Sequence, residues 1–442
     1  MSQLPYDITS PSSILNYAKG LSGKTLAEVV DLSGVIENLS HKGDLGNMVE
    51  KYYFQYLPNS THGPDFAEAG VELKTTGVKK SSKNIYEAKE RLVLSMINYV
   101  TLVDEDWSTN SLMQKCRLML LLFYYYQKDV AVYNRRFVFN PLLWEFPEVD
   151  LKVIEADWKL IQSKIKDGRA HELSEGDTFY LGACRKGAGG AKESLRKQPF
   201  SDLGAKARAF SLKPSYVNTI LSGYAQEAEI ISTISEAKTG IEEITLAKFK
   251  PFIGMTVESI ADILKFDMSG KVDKSVHQRL ALKILGSKKK NPPEFEKAGI
   301  KMKTIRLETN NKPKESMSFP AFKYMDIVNE EWDESNFSEA LERKFLFIVF
   351  QYDNNDILRF KKAMFWNMPY EDREEARKVW EFTKKQIIDG NADKLPGMKD
   401  SYVAHVRPHG RNADDTIPTP DGKLLVRKCF WLNNNYIAKQ LK

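Results

Sequence analysis

Cysteine is scarce. Three residues in a chain of 442 (Cys116, Cys184 and Cys429) cannot form a disulfide framework, and their spacing fits no metal knuckle. Long apolar runs are also missing: the longest, Leu118 to Tyr126, is about half the roughly 18 residues a membrane-spanning helix needs. The opening MSQLPYDITS has neither a basic flank nor an apolar stretch, so no secretory signal is expected. With no membrane segment, the protein is expected to be soluble and cytoplasmic. Nor is there a large excess of one charge. The chain has 65 Lys and Arg against 59 Asp and Glu, and the net +6 does not by itself identify a nucleic-acid partner. A hydrophobic fraction of 42% with 11% aromatics excludes wholesale disorder, and the length predicts two or three domains.

An internal repeat organises the chain. Gly23-Lys24-Thr25-Leu26-Ala27-Glu28-Val29-Val30-Asp31 is echoed by Gly254-Met255-Thr256-Val257-Glu258-Ser259-Ile260-Ala261-Asp262. Residues Pro64 to Thr75 (PDFAEAGVELKT) are echoed by Pro293 to Thr304 (PEFEKAGIKMKT), and Ala207 to Lys213 more weakly by Val426 to Leu432. The echoes keep one order and similar separations, so two tandem copies of one domain are expected rather than a solenoid. The boundary is placed at a helical connector over 225–240 that ends at Gly240, giving domains 1–230 and 241–442.

Within the repeats, Thr25 to Asp31 and Val153 to Asp167 have helical spacing, whereas Gly70 to Thr76 alternates at spacing two, as a strand does. The continuous apolar runs at 117–126 and 344–352 fit central buried strands. The predicted class is α/β, a mixed sheet flanked by helices and duplicated in tandem.

A strand over Gly70–Thr75 sends Glu72 and Lys74 to one face and Val71 and Leu73 to the other, into the core. A turn opened by Gly63-Pro64 could bring Asp65 beside Glu72. Two carboxylates on one edge make a hard-oxygen site suited to Mg²⁺, and the Lys74 ammonium can serve an attacking water or a phosphorane-like transition state. Such a pattern fits metal-dependent DNA cleavage, although a solvent-facing amphipathic strand would read the same. The second repeat is an internal control. It keeps the strand, but Asp65 becomes Glu294 and Glu72 becomes Lys301. The acids are therefore separable from the fold, which favours a site.

The stretch Pro64-Asp65-Phe66 to Gly70-Val71-Glu72-Leu73-Lys74-Thr75, with Glu50 before it and Lys89-Glu90-Arg91-Leu92 after it, resembles the MutH family. The two-domain layout is similar to the type II restriction endonucleases of that family that cut GATC, as are the segments at His171–Gly176, Tyr180–Lys186 and Ala207–Lys213. The resemblance spans essentially the whole chain. It implies a restriction-endonuclease-like fold, Mg²⁺ as cofactor, double-stranded DNA as partner and double-strand cleavage at GATC. It further implies a second, inactive domain that binds an effector GATC site, and a cognate DNA methyltransferase as functional partner. By this matching Asp65 and Glu72 are metal ligands, Lys74 serves the attacking water, Glu50 is an additional catalytic acid and Lys89 a further catalytic lysine. A mismatch-repair nicking enzyme and a non-catalytic DNA-binding protein of the same fold are the alternatives.

Residues 185–213 are strongly basic, and Gly187–Gly190 interrupts them with backbone that could approach phosphate. A solvated basic face would account for the charge run alone. The resemblance assigns Arg185, Lys186, Arg208 and Lys213 to DNA binding. In the second repeat Arg407, His409 and Arg427 occupy the corresponding positions and are assigned to effector DNA. The near match to a P-loop at Ala18–Thr25 is discounted, because helical sequence precedes it where a P-loop requires a strand. His405 and His409 are four apart, but Pro408 between them forbids an ordinary helical metal pair.

Overall fold

The computed structural model describes residues 4–32, 44–56, 63–186, 195–223, 230, 236, 239–268, 275–289 and 291–442. The glycine-rich segment 187–190 and most of the expected connector 225–240 lie outside the described residues.

The first repeat begins its strands with β1 (Val71–Lys80), β2 (Tyr86–Ala88) and β3 (Leu92–Met96), followed by β4 (Leu118–Tyr125) and β5 (Leu142–Glu145). Four of these form a mixed sheet in the order β2-β1-β4-β5, in which β1 and β4 are parallel and the outer strands antiparallel. The unbroken apolar run of β4 follows from burial on both faces. Its Met119, Leu121 and Phe123 enter one core, whereas Leu120, Leu122 and Tyr124 enter another built with the N-terminal segment. Further strands are β6 (Leu181–Arg185), β7 (Arg196–Gln198), β8 (Ser201–Ala205) and β9 (Arg208–Leu212). A small antiparallel sheet has the order β3-β9-β6, and β7 and β8 form a hairpin beside it.

The second repeat builds the same plan from β10 (Lys301–Leu307), β11 (Met317–Ser318), β12 (Phe345–Tyr352) and β13 (Leu358–Trp366). It continues with β14 (Ala404–Pro408), β15 (Thr416–Pro418), β16 (Leu424–Val426) and β17 (Lys428–Leu432). Strands β10 and β12 are parallel, as β1 and β4 are; β11-β17-β14 matches β3-β9-β6, and β15-β16 matches the β7-β8 hairpin. Each repeat also carries a 19-residue helix, Glu148–Lys166 and Tyr370–Ile388. Val153, Ile154, Trp158, Ile161 and Ile165 form the buried stripe of the first, as its 3.6-residue spacing predicts.

The expected helix over Thr25–Asp31 is shorter than its spacing suggested. It closes one 3₁₀ turn, Leu26–Glu28, capped by Glu28 Oε2 accepting from the Thr25 N–H at 2.6 Å. The segment before Gly23 is helix followed by a 3₁₀ turn, not the strand that a P-loop needs. Among the described residues no helix is long and apolar enough to cross a membrane.

The repeats are not independent beads. One apolar core includes Trp158 and Phe210 from the first and Phe350 and Phe360 from the second. Gly176 explains the last residue of the His171–Gly176 segment: a Cβ there would stand 2.8 Å from the Glu342 carbonyl oxygen and 2.9 Å from Asn367 Cβ. The close approach of the second repeat therefore requires glycine.

Candidate active site

Phe66 and Val71 exchange backbone hydrogen bonds of 2.9 and 3.2 Å, folding 66–71 into a tight turn. Gly70 closes it at φ +67°, a left-handed conformation that glycine adopts without strain. Phe66 is fully buried against Phe54 and Tyr56, which anchors the turn. Asp65 is thereby carried back to the start of β1. Its N–H donates to Glu72 Oε2 at 3.1 Å, and its own Oδ2 accepts from the Leu73 N–H at 2.9 Å.

Glu72 is not on a solvent face. It is 2% exposed, and the helix Ser111–Cys116, which carries Lys115, packs against β1 there. Glu72 Oε1 accepts from Lys74 Nζ at 2.7 Å and lies 3.5 Å from Lys115 Nζ, which also donates to the Gly63 carbonyl at 3.4 Å. Sequence reasoning missed Lys115. Its signal is positional: it stands just before the apolar run of β4, and a parallel neighbour begins at the same edge as β1.

Glu50 lies on the π-helical turn Val49–Tyr53. Burial, reinforced by the charges of Asp65 and Glu72, pushes its carboxyl up to about 7. Burial also raises Glu72, against the pull of Lys74. Burial works to lower Lys74, but its anionic surroundings hold the ammonium above the ordinary lysine value. Cys116 beside it has its thiol pushed up to about 12 by burial, so it is neutral at pH 7 and Glu72 is the operative anion. Three acids facing two ammonium groups leave room for positive charge. Among the described residues no three His, Cys, Asp or Glu side chains are grouped so as to hold a metal ion. An open pair of carboxylates suits an ion that keeps several waters, as Mg²⁺ does.

Lys89 is not brought to this cluster. Its backbone N–H bonds the Gly77 carbonyl, so it sits three residues along β1 from Lys74, ~10 Å away at the usual rise, with Nζ 3.6 Å over the Tyr126 ring.

The basic segment divides by direction. Asp157 accepts the N–H groups of Phe179, Tyr180 and Leu181 at 2.8, 2.6 and 2.9 Å, fixing the entry to β6 and hence the position of Arg185 at its end. Arg185 pairs with two acids of the second repeat, Asp333 and Glu342, the latter at 2.5 Å. Lys206 reaches the same Asp333 at 2.8 Å. Lys186 is partly exposed and bonds the Ala207 carbonyl through its backbone N–H. Arg208 and Lys213 turn inward. Arg208 is buried and donates to the carbonyls of Ala183 and Leu173, and Lys213 is buried and donates to those of Thr178 and Ala298. In this arrangement their cationic ends serve the fold.

In the second repeat Arg407 is exposed, with its guanidinium 3.8 Å over the Trp431 ring, and His409 packs against the same ring. Arg427 is paired with Asp415 at 2.9 Å. His405 is buried and bonds Asn433. Trp431 is another residue that sequence reading missed; cross-strand pairing of β14 with β17 sets it opposite His405. The acids have parted. Glu294 is buried on the helix Pro293–Ala298 and accepts from the Ile230 N–H at 2.7 Å, while Lys301 opens β10 where Glu72 stands in β1.

The chain matches the family model described as DNA mismatch repair enzyme MutH twice, over residues 54–157 and 285–378. The two matches fall on the β1–β5 and β10–β13 regions of the two repeats. The type II restriction enzyme Sau3AI of Staphylococcus aureus is 35% identical, with 97% of this chain and 98% of that protein covered. The DNA mismatch repair protein MutH of Shewanella woodyi is 27% identical over 49% of this chain and 94% of its own length. The Shigella flexneri protein of that name is also 27% identical, over 51% and 99% respectively. The MutH proteins thus correspond to about half of this chain, and the restriction enzyme to nearly all of it.

Proposed function

Because the chain belongs to the family of MutH-like type II restriction enzymes, we propose that it makes Mg²⁺-dependent double-strand cuts in DNA at GATC, with effector DNA bound by the second repeat. The observation that carries this reading is the convergence of Asp65, Glu72 and Lys74 at one edge of β1, against Lys301 at the matching edge of β10.

Asp65 and Glu72 would hold Mg²⁺ with Glu50 beside them, and the ion would supply positive charge to the phosphodiester oxygens. Lys74, held at 2.7 Å by Glu72, would orient the attacking water and offset the negative charge that grows on phosphorus. Although burial disfavours each charge alone, the low-dielectric surroundings strengthen the attraction between that ammonium and its carboxylate. Arg185 and Lys186 are the basic residues proposed to read the site. Lys89, Arg208 and Lys213 are retained as proposed participants only if DNA binding rearranges their present contacts. A host carrying a GATC nuclease must protect its own sites, which implies a cognate DNA methyltransferase.

Incubating the protein with Mg²⁺ and a plasmid containing GATC tests this reading. Linear fragments are expected. Nicked circles alone would favour the mismatch-repair alternative, and unchanged plasmid a non-catalytic DNA-binding protein. Against the nicking alternative stands the second repeat, which the single-length MutH relatives do not need.

Glu50 gives a separate prediction. Its folded pKa of about 7 lies above the ~4.3 of an unfolded glutamate, so the associated stability is full below that unfolded value and lost as pH rises through 7. Without divalent cations, the melting temperature is expected to fall between about pH 5 and pH 8. Mg²⁺ or Ca²⁺ should restore it, and Glu50→Gln should flatten the profile. An unchanged profile in that variant would remove Glu50 from the charged cluster.

A further inference from the structure

In the second repeat, a cavity of about 660 Å³ opens at the edge of β10 that matches the acid-bearing edge of β1. Lys301 and Lys303 lie on one face of the strand and line it, together with Arg343 and Ser318. Where the first repeat neutralises a buried glutamate with lysines, the second keeps a lysine at the matching position, Lys303, and replaces the glutamate itself by Lys301. Among the described residues neither side chain has an ion pair or a hydrogen bond. Burial lowers both pKa values, and the charges of Arg343 and Lys303 lower Lys301 further. Arg343 is shared with Glu339 at 3.0 Å.

Two acids also line the cavity, but each has a partner. Asp326 pairs with Lys323 at 3.5 Å, and Glu330 accepts from Asn336 at 3.4 Å, with burial raising its carboxyl. The β10 side therefore carries excess positive charge in a partly enclosed space. Lys301 is exposed and Lys303 half-buried, so both ammonium groups can meet an oxyanion at the cavity mouth that several donors reach at once.

We propose that this cavity binds a phosphate group directly, without a metal. The choice of phosphate rests on reading the matching edge of β1 as a phosphodiester-cutting site. A carboxylate there needs a cation before it can approach phosphate, whereas Lys301 and Lys303 attract it unaided. With Lys301 in place of the metal-binding glutamate, and Asp326 and Glu330 each already partnered, the site holds the group rather than cuts it. The phosphate could come from a DNA backbone or from a free phosphate compound.

The test uses the full chain, with pyrophosphate binding measured by calorimetry in the absence of DNA. The affinity of a GATC duplex is measured separately at several salt concentrations. The variant Lys301→Met with Lys303→Met removes charge but keeps the stems, and its melting curve checks the fold. Pyrophosphate affinity is expected to fall by about tenfold or more, the scale of a lost charge-assisted hydrogen bond. If the group belongs to the DNA backbone, the slope of log K against log salt should also flatten by about one, the share of one neutralised phosphate. A fall in pyrophosphate affinity with an unchanged slope assigns the site to a free phosphate compound, and a flatter slope alone assigns it to DNA. A folded variant that alters neither quantity overturns the proposal. Failure here with GATC cleavage intact removes the cavity and not the active site; absent cleavage with pyrophosphate bound at this cavity does the reverse.

Discussion

Asp65→Asn and Glu72→Gln are each expected to lower cleavage by at least about 10³-fold, the scale on which a preorganised charge acts on a transition state, while duplex binding persists. The substitutions are chosen to spare the fold. The asparagine of the first is no larger than aspartate and still offers an oxygen to the Leu73 N–H, which now donates to Asp65 Oδ2 at 2.9 Å. The glutamine of the second keeps one acceptor for Lys74 but loses the charge that binds a divalent cation. Lys74→Ala should behave like the acid variants, with any remnant of activity supplied by Lys115, whose Nζ is 3.5 Å from the same Glu72 oxygen. Ca²⁺ should support binding without turnover, because it fills carboxylate sites with looser geometry. Plasmid cleavage paired with gel-shift titration checks all of these. Near-normal cleavage by any variant would remove that residue from the catalytic group, and loss of binding together with cleavage would make its role structural.

Much of this site could be read from local sequence because its parts are local. Asp65, Glu72 and Lys74 lie within ten residues, and one turn and one strand bring them together. The apolar runs that became β4 and β12 were equally legible, since a strand covered on both faces has no polar side to break the pattern. Lys115 was hidden because only the parallel pairing of β1 with β4 brings it to Glu72. The direction of basic side chains was hidden for a similar reason. Composition shows that 185–213 is rich in Lys and Arg, but nothing local distinguishes Arg208, which bonds buried carbonyls, from Lys186, which is partly exposed. Thr25–Asp31 misled in the opposite direction: seven residues can show helical spacing yet close a single capped turn.

The contacts of Arg185 lead to the second large effect. A plasmid with two GATC sites is expected to be cut faster than a plasmid with one, and a short GATC duplex added in trans should rescue the one-site plasmid. In this structure Arg185 and Lys206 of the first repeat are held by Asp333 and Glu342 of the second. Although burial opposes it, the guanidinium groups of Arg185, Arg208 and Arg373 hold the Glu342 carboxyl below the ordinary range, so it is ionised at neutral pH. Two acids thus occupy Arg185, which is proposed to read the target, and Lys206 beside it. Effector DNA can relieve this only by binding more tightly to the arrangement in which those cations are released, which makes the rate gain a measure of coupling, on the order of tenfold. Arg407, exposed and stacked at 3.8 Å over Trp431, is the proposed effector contact, so Arg407→Ala should blunt the rescue. Asp333→Asn combined with Glu342→Gln should act in the opposite sense, raising the one-site rate without added duplex while keeping neutral partners for Arg185. If the double variant still depends on effector, the ion pairs are structural and the coupling runs elsewhere. If the unaltered protein cuts both plasmids at one rate and ignores added duplex, the second repeat has no effector role, and its contribution is the core it shares with the first.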